Sequence, residues 1–396
     1  MQVKIQTSQR INCEQTTCNP LPLTAGKGKY MNELGQPLEN DKAVYNWLMI
    51  GVVMVMIQIA IGGITRLTGS GLSITEWEVV TGSLPPINAA DWEVEFAKYR
   101  QTPQYRLLNA DFSLEDFKFI FFWEWIHRFW ARLLGLVFAG GFIYFLAKRK
   151  FRPHMVKPLV LLFALGALQG LVGWIMVASG LTGDAVYVKP TRLALHFVFA
   201  LGLLAYTFWF ALNLKIPENS RVKNKAVRNF VLWLLLLLVV QFIYGALMAG
   251  HKAASVAATW PDINGHYLIP AGIWHPAKGM LNFIENKVMI HFLHRWLAYV
   301  IFILVFIFYL RYKKEPGPLG KLSVLPLLTG IMQLALGILA VLTSNNIIAS
   351  VWNAFEWMAL LHQLNAMLLL LCLVLILFLS TGEKKGAEPV EMQLQN

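Results

Sequence analysis

Glu124, His127 and Arg128 stand within five positions of one another inside the apolar stretch "FFWEWIHRFWARLLG" (121–135). An acid, an imidazole and a guanidinium are each costly in a bilayer interior, and residues of these types there are usually functional. Three more histidines interrupt apolar runs: His196 in "LALHFV" (193–198), His294 beside Arg295 in "HFLHRWLAYVIF" (291–302), and His362 in "ALLHQL" (359–364). A lone histidine in such a place is explained as readily by a hydrogen bond to a neighbouring helix. Four of them at matched positions are metal-ligand chemistry. Two neutral imidazoles facing each other across a helix bundle bracket one flat metal macrocycle, and heme fits that arrangement. Zinc would call for further ligands close by. Glu124 could supply one in the first half, but the second half has no carboxylate at the matching place.

The matching follows from a duplication. "EWIHRFWARLLG" (124–135) aligns with "HFLHRWLAYVIF", so that His127-Arg128 falls on His294-Arg295 at an offset of 167 residues. His196 falls on His362 at an offset of 166. The odd-numbered spans share another pattern: Gln58 and Gly62, Gln169 and Gly173, Gln241 and Gly245, Gln333 and Gly337. Residues four apart share a helical face, so each span offers one buried amide and one point of close approach on the same side. Four spans per half give the halves the same orientation, as parallel repeats about an axis along the membrane normal.

The elements that must position these groups are membrane helices. Hydrophobic residues make up 57% of the 396 and charged residues only 14%, against about 25% charged in soluble domains. Eight apolar segments are long enough to span, at 45–65, 117–147, 155–178, 191–213, 228–250, 286–311, 321–343 and 353–380. The fold expected is an all-α polytopic membrane protein, with eight transmembrane helices forming two parallel-repeat four-helix bundles. Connections 148–157 and 215–228 each hold five Lys/Arg, and 311–321 holds four. Loop 65–116 holds eight acids against four bases. The positive-inside rule then puts both termini in the cytoplasm and the acidic loop outside, with a short helix of its own near 91–101. The net charge of +12 lies mostly in those short loops and so sets orientation; it does not signal nucleic acid. The domains are a cytoplasmic tail 1–44, an N-terminal bundle 45–213, an inner linker 214–227, a C-terminal bundle 228–380 and a tail 381–396.

Around the histidines two questions stay open. Arg128 and Arg295 follow their histidines by one residue and point about 100° away; each serves either as a partner for a heme propionate or as a charge that reaches backbone carbonyls. Glu124 occurs in one half only, with His291 at the matching place. Either it is a carboxyl in an apolar pocket that exchanges protons during chemistry, or it forms an ion pair with Arg128 four residues on. Of three cysteines, Cys372 lies in an apolar run as packing, and Cys13 with Cys18 cannot complete a zinc site.

"GGITRLTGSGLSITEW" (62–77), "EWIHR" (124–128) and the paired later histidines resemble the heme A synthase family over about 45–380. The resemblance implies oxidation of a ring methyl of heme O to a formyl group, giving heme A for cytochrome oxidase, with oxygen taken from water through hydroxylated intermediates. It implies His127 and His196 at the substrate heme O iron, His294 and His362 as ligands of a resident heme b, and Glu124 as the catalytic carboxylate. It also implies the bacterial cytoplasmic membrane, or the mitochondrial inner membrane in a eukaryote, with heme O synthase as supplier and quinone as an electron acceptor. Oligomeric state stays open, a homo-oligomer included. Arg66, Glu76 and Trp77 would help cap the substrate pocket. Some family members carry a cysteine pair in the first outer loop; none lies between 65 and 116 here. The competing readings are a di-heme cytochrome b that exchanges electrons with quinone, and a transporter built from repeats.

Overall fold

The computed structural model describes residues 39–76, 84–346 and 352–382. Cys13, Cys18 and Trp77 lie outside the described residues. Eight helices there are long and apolar enough to cross a membrane, and no β-strand forms among the described residues. They are α1 (Glu39–Leu67), α4 (Leu114–Ala147), α5 (Pro153–Ala178), α6 (Pro190–Lys215), α7 (Lys225–Gly250), α9 (Lys287–Tyr312), α11 (Val324–Thr343) with its leading turn α10 (Pro318–Leu322), and α12 (Ala354–Leu379). Two short helices, α2 (Ala89–Arg100) and α3 (Pro103–Leu108), lie between α1 and α4, and the single turn α8 (Asn282–Glu285) precedes α9.

The span starts are written in the sequence as caps. Ser113 and Asp116 close a capping box on α4, and Asn353 with Glu356 does the same on α12. Proline occupies the first turn of α5 and α6, where its missing N–H costs nothing. Asn224 and Asn286 accept from first-turn amides of α7 and α9. Seven of the eight spans begin and end within three residues of the expected boundaries. The first starts at Glu39 instead of 45, because Asp41 is paired with Arg152 at 2.5 Å and a polar first turn is thereby accommodated.

In the first half α1 packs on α4 and α6, and α5 on α6. In the second, α7 packs on α9 and α12, and α11 on α9 and α12. The halves meet where α6 lies on α7 and α12, and α1 on α12. One apolar core runs through this seam, with Ile59, Leu204, Leu234, Leu238, Leu370 and Leu373 among its members. Lipid tails are as apolar as leucine, so close packing and interhelical hydrogen bonds must hold such a seam. Gln363 on α12 donates to the Ile59 carbonyl on α1 at 2.9 Å, and Gly63 gives it room: a β-carbon there would stand 2.7 Å from the amide nitrogen. Arg66 reaches the Ala249 carbonyl of α7 at 3.4 Å. At the pseudo-equivalent place on the other side, Phe197 meets Phe242 edge-on, centroids 6.1 Å apart.

At 34 residues α4 is about 50 Å long, well beyond a hydrocarbon core of about 30 Å. Its first two turns project past the bundle, and α2 folds against them. Phe117 stacks on Phe96 and Tyr99 at centroid distances of 5.0 and 5.2 Å. The Tyr99 hydroxyl donates to Gln104 Oε1 at 3.1 Å and accepts from Asn109 at 2.8 Å, and burial pushes it up to about 12. Gln104 in turn donates to the carbonyls of Gly69 and Val186. The described part of the acidic loop therefore folds onto the start of α4 and onto the connections after α1 and α5.

Candidate functional site

Each of the four histidines is cradled by the preceding long helix. A glutamine amide donates to the main-chain carbonyl of three of them: Gln58 to His127 at 3.1 Å, Gln169 to His196 at 3.1 Å and Gln241 to His294 at 3.0 Å. In the fourth cradle the Gln333 amide lies 3.1 and 3.0 Å from the two ring nitrogens of His362. One turn further along, a glycine faces the imidazole itself. A β-carbon on Gly62, Gly173, Gly245 or Gly337 would stand 3.0, 2.8, 3.3 or 2.9 Å from the ring of His127, His196, His294 or His362 respectively. The glutamine–glycine spacing thus makes one device: the amide clips the histidine's helix in three cradles and its ring in the fourth, and the glycine admits the ring in all four. His127 presents Nε2 and Cδ2 to its glycine, whereas the other three present Cε1 and Nδ1.

The His294 and His362 rings face each other with centroids 6.2 Å apart, steeply inclined at 68°. Two metal–nitrogen bonds of about 2 Å, with the reach from each nitrogen to its ring centre, make roughly that span. His127 and His196 lie within electrostatic reach of each other in the first half. No group of three or more His, Cys, Asp or Glu able to hold a metal occurs among the described residues. The donor set therefore suits a metal that brings its own equatorial ligands, as an iron porphyrin does, and the side-chain-free face of each glycine leaves the imidazoles seated without crowding.

Arg128 and Arg295 reach backbone carbonyls. Arg128 donates to Ile74 at 3.2 Å and to Glu76 at 3.3 Å, and it pairs with Glu124 Oε1 at 2.5 Å. Arg295 donates to Asp262, Thr259 and Ala257 at 2.7, 3.0 and 3.3 Å, and to His291 Nε2 at 2.9 Å. Each arginine staples down the loop that follows the first helix of its half, and in the first half Glu124 joins it through Ser73 and Ile74. The apolar pocket expected around Glu124 is absent: its other oxygen, Oε2, accepts from Ser73 N, Ser73 Oγ and Ile74 N at 2.7, 2.7 and 3.0 Å. The ion-pair alternative is the one formed. Glu124 and His291 differ in chemistry yet each contacts the arginine four residues on.

A family described as "COX15-CtaA: Cytochrome oxidase assembly protein" matches residues 45–374. The chain belongs to the COX15-CtaA family. It is 41% identical over 333 residues to a protein of Paracoccus denitrificans named "Heme A synthase", covering 83% of this chain and 85% of that one. A protein of the same name from Flavobacterium psychrophilum is 39% identical over 338 residues, 84% of this chain and 96% of its own. A third, from Methylorubrum extorquens, is 45% identical over 260 residues, 65% and 68% of the two chains.

In this COX15-CtaA chain the structure gathers His127, Arg128 and Glu124 with Ser73 and Ile74, and sets His294 opposite His362. Arg66 lies at the seam between the halves, not over the first bundle alone. Ser73 and Ile74 were not singled out from the sequence. Two of the three donors to Glu124 Oε2 are backbone N–H groups from about 50 residues upstream, and residue type carries no trace of them.

Proposed function

We propose that the chain is a heme A synthase: it oxidises a ring methyl of heme O to a formyl group and so supplies heme A to cytochrome oxidase. The reaction removes four electrons and four protons and takes one oxygen atom, here from water. Heme O, the substrate, is held in the first half by His127 and His196. A resident heme b is held in the second half by His294 and His362, and when bound it supplies one-electron redox chemistry, with quinone the acceptor beyond it. The observation that carries this reading is the pair of glycine-seated imidazoles repeated in both halves of a chain 41% identical to a named heme A synthase.

The rest is work for the protein's own side chains. Glu124, one turn before His127, is the carboxylate placed to accept protons leaving the methyl carbon. Arg128 and Ser73 fix its two oxygens, and a proton reaching Oε2 has the Ser73 hydroxyl 2.7 Å away as its next station. The 73–76 segment held by Arg128 and Glu124 lies over the carboxylate, which is buried away from bulk water. The acidic end of the molecule faces outward and the basic end faces the cytoplasm, following the charge asymmetry of the loops. Heme O synthase is the supplier of the substrate.

The anchoring of Ser73, Ile74 and Arg128 by Glu124 favours a second reading, a di-heme cytochrome b, since it gives Glu124 a structural job. Glu124→Gln separates the two. The variant keeps the side-chain shape and its acceptor oxygen. Expressed in cells that make heme O, with pigments extracted and separated by chromatography, it forms no heme A if the carboxylate takes protons, while heme binding stays at the wild-type level. Undiminished heme A from Glu124→Gln removes the catalytic role; no heme A from the wild-type chain removes the synthase reading.

A further inference from the structure

Asn365 lies three residues after His362 on α12 and is only 4% exposed. Its amide nitrogen donates to Gln333 Oε1 at 2.7 Å and to the Thr329 carbonyl at 2.8 Å. The Gln333 amide is thereby held by its oxygen, with its nitrogen turned to the His362 ring. His362 Nδ1 in turn lies 3.1 Å from the main-chain carbonyl of Gln333. A carbonyl only accepts, so His362 Nδ1 donates to it, and the Gln333 amide N–H is directed at Nε2, 3.0 Å away, so that both ring nitrogens are held by the one glutamine.

The first half has the same register and different residues. Leu165, Phe199, Gln169 and His196 stand where Thr329, Asn365, Gln333 and His362 stand. Phe199 has no amide to offer. Gln169 Oε1 is buried without a partner, while its nitrogen donates to the His196 carbonyl and also lies 3.1 Å from Nδ1. The same nitrogen lies 3.4 Å from Nε2, so the Gln169 amide meets the His196 ring while nothing holds the amide's oxygen end in place.

We infer that Asn365 is a positioning residue which, through Gln333, fixes His362 as a permanent ligand, and that Phe199 at the matching place leaves His196 a ligand able to let go. The inference rests on the reading that the second half keeps its heme and the first must release a product.

The test uses full-length protein, loaded with heme in the membrane and purified in detergent. Heme transfer to excess apomyoglobin gives the release rate, and the low-temperature electron paramagnetic resonance spectrum of the oxidised protein reports the setting of the axial imidazoles. Asn365→Leu raises the release rate of the resident heme about 10- to 100-fold, the usual effect of losing a partner behind a metal ligand, and it shifts the resonance. In a Gln333→Leu background Asn365→Leu adds nothing, because the two act in series. Phe199→Asn slows release from the first half. A wild-type release rate with an unshifted resonance in Asn365→Leu, or full additivity with Gln333→Leu, overturns the inference. Should Asn365→Leu fail to accumulate, Asn365→Ala and Phe199→Asn decide by the same readings. A wild-type protein that purifies without heme sinks the functional reading instead, before any variant is compared.

Discussion

Gly337 and Gly173 lack side chains because imidazoles occupy the space. An alanine methyl at either place would stand under 3.0 Å from a ring carbon of His362 or His196, so the ring must move. Alanine also favours a helix interior over glycine by about 1 kcal/mol, so these variants fold and the damage stays local. Gly337→Ala is expected to lower heme retained in the second half about 10-fold or more. Gly245→Ala, with 3.3 Å available, retains most of it. Pyridine hemochrome content per mole of purified protein measures both, and equal content in the two variants would contradict the cradle geometry. At this scale the sequence was legible where the signal is periodic: the glutamine–glycine spacing and the histidine pairs lie on single helices and repeat. It was half legible at Glu124, whose pairing with Arg128 shows in the spacing of four, and not at Asn365. The Ser73 and Ile74 partners of Glu124 arrive from a loop and those of Asn365 from another helix, and Asn365 has a phenylalanine for its counterpart, so no repeat marked it.

The loops over the bundles are held by arginine forks. Arg295 spends its guanidinium on three carbonyls of the segment between α7 and α9, and that geometry needs a planar donor set that lysine lacks. Arg295→Lys is expected to raise amide hydrogen exchange across 253–263 while the α9 and α12 interiors keep their protection. Unchanged exchange in that segment would leave the fork without a role. The same segment has a pH limit. Asp262 Oδ1 accepts from Thr259 Oγ and Gly265 N, both at 2.7 Å, and the Thr259 hydroxyl foremost holds the Asp262 carboxyl below its usual value of 3.8. A depressed carboxylate contributes above its unfolded value and stops contributing as pH falls through the folded one. The 259–265 turn therefore keeps this contribution in full from neutral pH down to the carboxyl's usual value of 3.8, and loses it as pH falls further, through the lower folded value. Asp262→Asn removes that acid transition, read from exchange in the turn between pH 3 and 6. The spans and their caps were readable because each is a local matter of apolar length and one or two capping residues. The folded part of the acidic loop, α2 and α3, was only half readable. Its helix near 91–101 shows in the sequence, but its seat on Phe117 depends on how far α4 projects.

Across the whole molecule the duplication gives two similar cradles, while the seam and the surroundings make them unequal. The halves share one apolar core, tied by Gln363 to Ile59 and by Arg66 to Ala249, so neither bundle is independent of the other's packing. A variant that merely loosened the fold would reach both sites through that core and lower both together. Ligand variants should not. His294→Ala and His362→Ala are each expected to remove most resident heme b, seen as loss of the reduced-minus-oxidised b-type absorbance. His127→Ala and His196→Ala should keep that absorbance and abolish conversion of heme O. The contrast depends on side chains of equal size, removed from equivalent places in the two repeats, so differences in burial or helix propensity cannot produce it. Matching spectral loss from all four variants would mean that the two cradles are one cooperative heme site, and the division between a holding half and a reacting half would fall.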